Sequence, residues 1–121
     1  MDDELFQTLR ERHPQFEDAA YLFVLSALNY VLERLPEPRH ISGRELASGV
    51  RDLALERFGP MARTVLEHWG IRETGAVGDI VFALVECGVL IKQDEDTRAD
   101  FENVFDFDEA FEPQFRSREN E

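Results

Sequence analysis

Three groups of residues have types and spacings that could do chemistry. Asp79, Phe82 and Glu86 fall on one face of a helix expected over residues 75–87. An aromatic ring between two carboxylates suits a protein contact, an apolar anchor with an anionic rim. The competing reading is that Phe82 is simply buried under the N-terminal helix. Arg39, His40, Arg44 and Arg51 gather around the start of the second long helix. Arg44 and Arg51 are seven apart and share a face, and Arg39 and His40 precede an N-terminus whose free amides point outward. That region could grip a phosphate or an acidic peptide. The plainer account is local pairing of Arg51 and Arg57 with Asp52 and Glu56.

The third group is dispersed. His13, His40 and His68 lie far apart, and no pair has the spacing of a zinc site. Asp94-x-Asp96-x-Arg98 opens like a calcium loop but has Ala99 where glycine is required and Phe105 where glutamate is required. Cys87 ends a helix, where the dipole disfavours a thiolate. Ser26 lies inside an apolar helix, Ser42 is used as a cap, and Glu67 and His68 project about 100° apart on a helix. Gly75-Ala-Val-Gly78 is too short for a phosphate cradle. No catalytic residue, metal site or cofactor is expected. A small enzyme assembled from Arg44, His40 and His68 is the alternative.

Charge narrows the partners. The 121 residues carry 26 acidic and 13 basic side chains, a net charge of −13. Nucleic acid and anionic membranes repel such a chain. From Thr74 onward thirteen acidic residues face four basic ones. Direct readout of DNA needs Arg, Lys, Asn or Gln, and residues 75–87 contain none. A protein partner, basic in character, is expected instead. An acidic surface that mimics nucleic acid is a stronger form of the same idea. The single cysteine calls for no disulfide, and Met-Asp-Asp-Glu-Leu-Phe lacks the order of a secretion signal, so a cytoplasmic setting is expected.

These residues must be positioned by a small set of elements. Ala19–Leu32 holds no charge and is apolar all round, which predicts a helix surrounded by others. Its span of roughly 21 Å falls short of the ~30 Å of a bilayer. Leu5, Phe6 and Leu9 predict a short amphipathic helix over 3–12, broken at His13-Pro14. The core helix then runs 18–35 with Asp18 as its cap. Ile41-Ser-Gly-Arg-Glu-Leu46 contains a capping box between Ser42 and Glu45, with Ile41 and Leu46 as a hydrophobic staple. That helix runs to Phe58 and stops at Gly59. Gly70 and Gly88 close two further helices, 61–69 and 75–87, and their Schellman contacts pair Ile71 with Leu66 and Val89 with Leu84. Gly75 and Gly78 weaken the start of the last helix or admit another backbone.

Beyond Gly88 the apolar period changes. Val89–Gln93 is short and β-branched, residues 94–100 are polar, and Phe101–Phe107 alternates. A β-hairpin with an acidic tip is expected, with a helix over 101–111 as the alternative. Phe111 and Phe115 dock after it, and residues 116–121 are expected to be a disordered tail behind a single domain of residues 1–115.

Two resemblances follow from these stretches. Ile41–Ala47 looks like the opening of a second helix in winged-helix domains, and Leu84–Ile91 looks like the end of their recognition helix entering the wing. Ala20-Tyr-Leu-Phe-Val24, Phe58–Arg63, Val65–Ile71 and Asp100–Phe107 together resemble a small bacterial family of uncharacterised single-domain proteins, over roughly residues 16–112. That resemblance implies a stand-alone soluble domain and carries over no catalytic residue. The expected fold is mainly α with a C-terminal β-hairpin, winged-helix-like. The expected function is a non-catalytic protein-interaction module. A nucleic-acid regulator binding through the basic side of the second long helix is the rival.

Overall fold

The computed structural model describes residues 3–91 and 97–111. Among the described residues six α-helices follow one another: α1 (Asp3–Arg12), α2 (Asp18–Glu33), α3 (Gly43–Phe58), α4 (Ala62–His68), α5 (Thr74–Glu86) and α6 (Phe107–Phe111). Single 3-10 turns occupy Gly59–Met61 and Arg98–Phe101. No strand occurs among the described residues.

The central layer is α2 against α3, with α5 packed on α2 and α4 packed on α3. Its fully buried side chains include Tyr21, Val24, Val50, Leu66, Ile80 and Leu84. Gly49 permits the α2–α3 approach, since a Cβ there would stand 2.3 Å from a Val31 methyl. Phe23, Phe58 and Trp69 meet in a trio of rings with centroids 5.4–5.7 Å apart, tying α2, the end of α3 and the end of α4 together.

The helix ends obey the local chemistry expected of them. Ser42 Oγ accepts from the Glu45 amide at 3.1 Å, and Glu45 Oε1 accepts from the Ser42 amide at 2.9 Å. The Ile71 amide donates to the Leu66 carbonyl and the Val89 amide to the Leu84 carbonyl, both at 2.9 Å, the bonds that define the two Schellman ends. One cap differs. Glu17 is the N-cap of α2, without a side-chain cap bond, and Asp18 is drawn instead to Arg10.

Helix α2 is not fully surrounded. Leu22 is 49% exposed and Leu32 39% exposed, so its uncharged surface covers both a core face and an open one. No helix among the described residues is long and apolar enough to cross a membrane.

The C-terminal hairpin, and with it the winged-helix order, is not formed. Phe101 closes a 3-10 turn and is 4% exposed. Its ring lies in a notch made by two glycines, where a Cβ on Gly43 or on Gly78 would stand 2.9 Å from Phe101 atoms. Thr74 Oγ1, itself buried, donates to the Phe101 carbonyl at 2.5 Å and accepts from the Val104 amide at 3.1 Å. Asn103 then turns the chain at φ 51°. The Asp108 amide donates to Asp106 Oδ1 at 2.7 Å and the Ala110 amide to the Asp106 carbonyl at 2.8 Å, which starts α6. Side-chain-to-backbone bonds of this kind compete with a strand ladder, and here they win. The helical alternative is met only over Phe107–Phe111, where Phe105, Phe107 and Phe111 pack as three rings. The acidic tip at Asp94, Glu95 and Asp96, Phe115 and the tail 116–121 lie outside the described residues.

Candidate functional site

The basic residues before α3 are largely occupied. Arg39 donates from both Nη atoms to the two carboxylate oxygens of Glu45, at 3.0 and 2.8 Å. The bonds from Arg39 and from the Ser42 amide hold the Glu45 carboxyl down at about 2. The Arg39 cation is therefore spent on the capping box. The His40 carbonyl accepts from Arg39 Nη1 at 3.1 Å. Arg51 pairs with its neighbour Asp52 at 2.9 Å and lies 5.4 Å from the centre of the Phe105 ring. Arg44 makes no ion pair among the described residues and lines a shallow depression with Tyr30, Arg34 and Asp52.

The acidic face of α5 is also countered. Asp79 pairs with Arg98 at 2.5 Å, and Glu86 pairs with Arg12 at 3.7 Å. Phe82 is half-buried. Its partners are Phe101, edge-on at 6.5 Å, and the Arg98 guanidinium 5.0 Å from its centre. Held between Phe101 and Arg98, it is not a free anchor.

The residues of the enzyme alternative do not converge. His40 lines an apolar groove, Arg44 the depression beside Tyr30, and His68 a cleft with Arg10, Glu17 and Trp69. Among the described residues no group of three or more His, Cys, Asp or Glu is placed to hold a metal ion.

What the fold does build is the groove. Leu28 and Leu32 of α2 form one wall, one helical turn apart. Val81, Phe82 and Val85 of α5 form the other. Ile41, Leu46, Leu90, Ile91 and Phe101 complete the apolar lining. Arg39, His40 and the cap residue Ser42 are its polar members. Its volume is about 180 Å³. Small-molecule sites usually measure roughly 300–1,000 Å³, so this space suits one or two apolar side chains better than a cofactor. Two of its lining residues are open to solvent, Leu32 at 39% and Ile91 at 87%.

Of the residues that the sequence singled out, the groove gathers Phe82, Arg39 and His40, while Asp79, Glu86, Arg44 and Arg51 are not in its lining; its Val81 and Val85 belong to the apolar stripe read along that helix. The one signal available was the excess of apolar surface on residues 19–32, more than one side of a helix needs.

No known protein family, curated protein or solved structure matches this chain.

Proposed function

We propose that this protein is a non-catalytic interaction module that binds a basic amphipathic helix of a protein partner in the groove between α2 and α5. The observation that carries the reading is the exposed apolar lining, Leu32 and Ile91 above all, beside a space sized for one or two anchor side chains. Helix-in-groove recognition uses anchors at i, i+3 or i+4, and i+7, and Leu28 and Leu32 face Val81 and Val85 at the same one-turn interval. The partner's sign follows from charge. A body with net charge −13 attracts cationic segments over the range of a Debye length, ~10 Å at 0.1 M salt. The groove offers an anionic ligand little, because Arg39 is already neutralised by Glu45. The setting proposed is the cytoplasm, where a lone cysteine stays reduced.

The test uses three labelled peptides: a lysine-rich amphipathic helix with leucine anchors, its glutamate-rich counterpart and a scrambled control. Fluorescence anisotropy should show binding of the lysine-rich peptide alone, weakening with salt. Methyl NMR should show shifts at Leu28, Leu32, Val81 and Val85. Leu32→Glu should abolish binding and leave the melting curve in place, since Leu32 is already 39% exposed. Groove methyls that stay unmoved, or full binding by the Leu32 variant, would reject the reading.

A further inference from the structure

Residues 34–52 depart from the acidic character of the chain. They hold four arginines against three carboxylates, a local net charge of +1 where the whole carries −13. Two of the four cations are accounted for. Arg39 pairs with Glu45 at 2.8 Å and Arg51 with Asp52 at 2.9 Å. The other two, Arg34 and Arg44, are exposed and make no ion pair among the described residues.

The fold places these two on one surface. Phe23 of α2 meets Phe58 of α3, and Val31 of α2 meets Gly49 of α3, so the two helices run antiparallel. In that register the last turn of α2 comes level with the first turn of α3. Arg34 and Arg44 line one depression there, with Tyr30, Ser48 and the two paired carboxylates Glu45 and Asp52. Its volume is about 390 Å³, within the roughly 300–1,000 Å³ usual for small-ligand sites.

The two cations are set differently. Arg34 is pre-positioned: its guanidinium carbon lies 3.5 Å from the centre of the Tyr30 ring, and Nη1 donates to the Tyr30 carbonyl at 2.9 Å. Its Nε and Nη2 make no bond among the described residues. Arg44 follows Gly43 in the first turn of α3, where the macrodipole disfavours a cation. No ion pair within the described chain offsets that cost. A bound anion would.

We propose that this depression binds a phosphate monoester. Such a group carries nearly two negative charges at neutral pH and three terminal oxygens, enough for both guanidinium forks and the Ser48 hydroxyl together. A carboxylate has one charge and two oxygens, which a single guanidinium satisfies. In a body that repels anions as a whole, one such contact gains too little. Glu45 and Asp52 do not oppose the ligand, because Arg39 and Arg51 already counter them. The site is separate from the groove between α2 and α5, with which it shares no lining residue.

Amide NMR titration of the full chain tests it with four probes: N-acetyl-phosphoserine amide, N-acetyl-serine amide, acetate and a phosphoserine peptide with uncharged flanks. The phosphorylated probes alone should give saturable shifts, centred on Tyr30, Arg44, Ser48 and Gly49. Arg44→Ala and Arg34→Met should each weaken binding about tenfold or more, whereas Arg57→Ala, an exposed arginine outside the depression, should leave it unchanged. Arg44→Ala should also leave the melting temperature unchanged or slightly raised, where a structural role would lower it. Tighter binding of the peptide than of the small ester would support a phosphorylated partner protein as the source of the ligand. Equal binding would support a small phosphorylated metabolite. Equal shifts with acetate, shifts that never saturate, or affinity indifferent to Arg44→Ala would overturn the proposal.

Discussion

Two glycines three residues apart on α5 should respond in opposite directions to the same substitution. Alanine is favoured over glycine inside a helix by about 1 kcal/mol. At Gly75 an added Cβ would meet only Glu73 Oε1 at 3.2 Å, the free end of a flexible side chain. Gly75→Ala should therefore stabilise, by up to ~0.5 kcal/mol in a first turn where the preference is weaker. At Gly78 the Cβ would stand 2.9 Å from the Cβ, Cγ and Cδ2 of Phe101, against the 3.4 Å at which ordinary contact begins. Phe101 cannot move away freely. Its ring edge is equally close to the Gly43 side of the notch, and Thr74 holds its carbonyl. With Phe101 held on both sides the cost falls in the upper part of the usual overpacking range, about 2–3 kcal/mol, and after the helical preference is subtracted Gly78→Ala is left destabilised by roughly 1–2 kcal/mol. Thermal melts should place the two variants about 6–10 °C apart, one on each side of the wild type. Phe101→Leu should cost less in the Gly78→Ala background than in the wild type, a coupling readable in a double-mutant cycle. Equal shifts for both variants, or a Gly78→Ala protein as stable as the wild type, would refute the notch.

Thr74→Val keeps the shape of the side chain but strands the Phe101 carbonyl and the Val104 amide, and should cost about 2 kcal/mol in urea unfolding, with amide exchange rising at Val104 first. The Glu45 carboxyl is held at about 2 against an ordinary 4.5, so its contribution is complete above pH 4.5 and is lost as the pH falls toward 2. Glu45→Gln keeps the cap geometry, and comparing its unfolding with the wild type at neutral pH and near pH 3 should show a smaller acid loss. Asp79→Lys with Glu86→Lys should weaken binding of a lysine-rich helix only modestly in anisotropy titrations, because Arg98 and Arg12 already offset those charges, whereas Leu32→Glu should remove it.

Much of the helical framework was legible because its signals are local. Ser42 and Glu45 meet across one turn, and Gly70 and Gly88 end helices through bonds that span five residues. Such pairings need no knowledge of the rest of the chain. Burial of Leu46, Val50 and Leu53 follows from the helical period for the same reason. Residues 101–107 alternate as a strand would, and periodicity could not reveal Thr74, 27 residues away, holding the Phe101 carbonyl. The bond from the Asp108 amide to Asp106 that opens α6 is a short local feature inside a longer alternating pattern. Charge was legible only as a total. Which acids are paired, and that Arg39 is consumed by Glu45, depends on where the helices lie. The sequence alone determined the number of long helices, their ends and the acidic character of the body. The tertiary structure decided which apolar faces stay uncovered, since exposure of Leu32 and Ile91 is a property of what α2 and α5 leave between them.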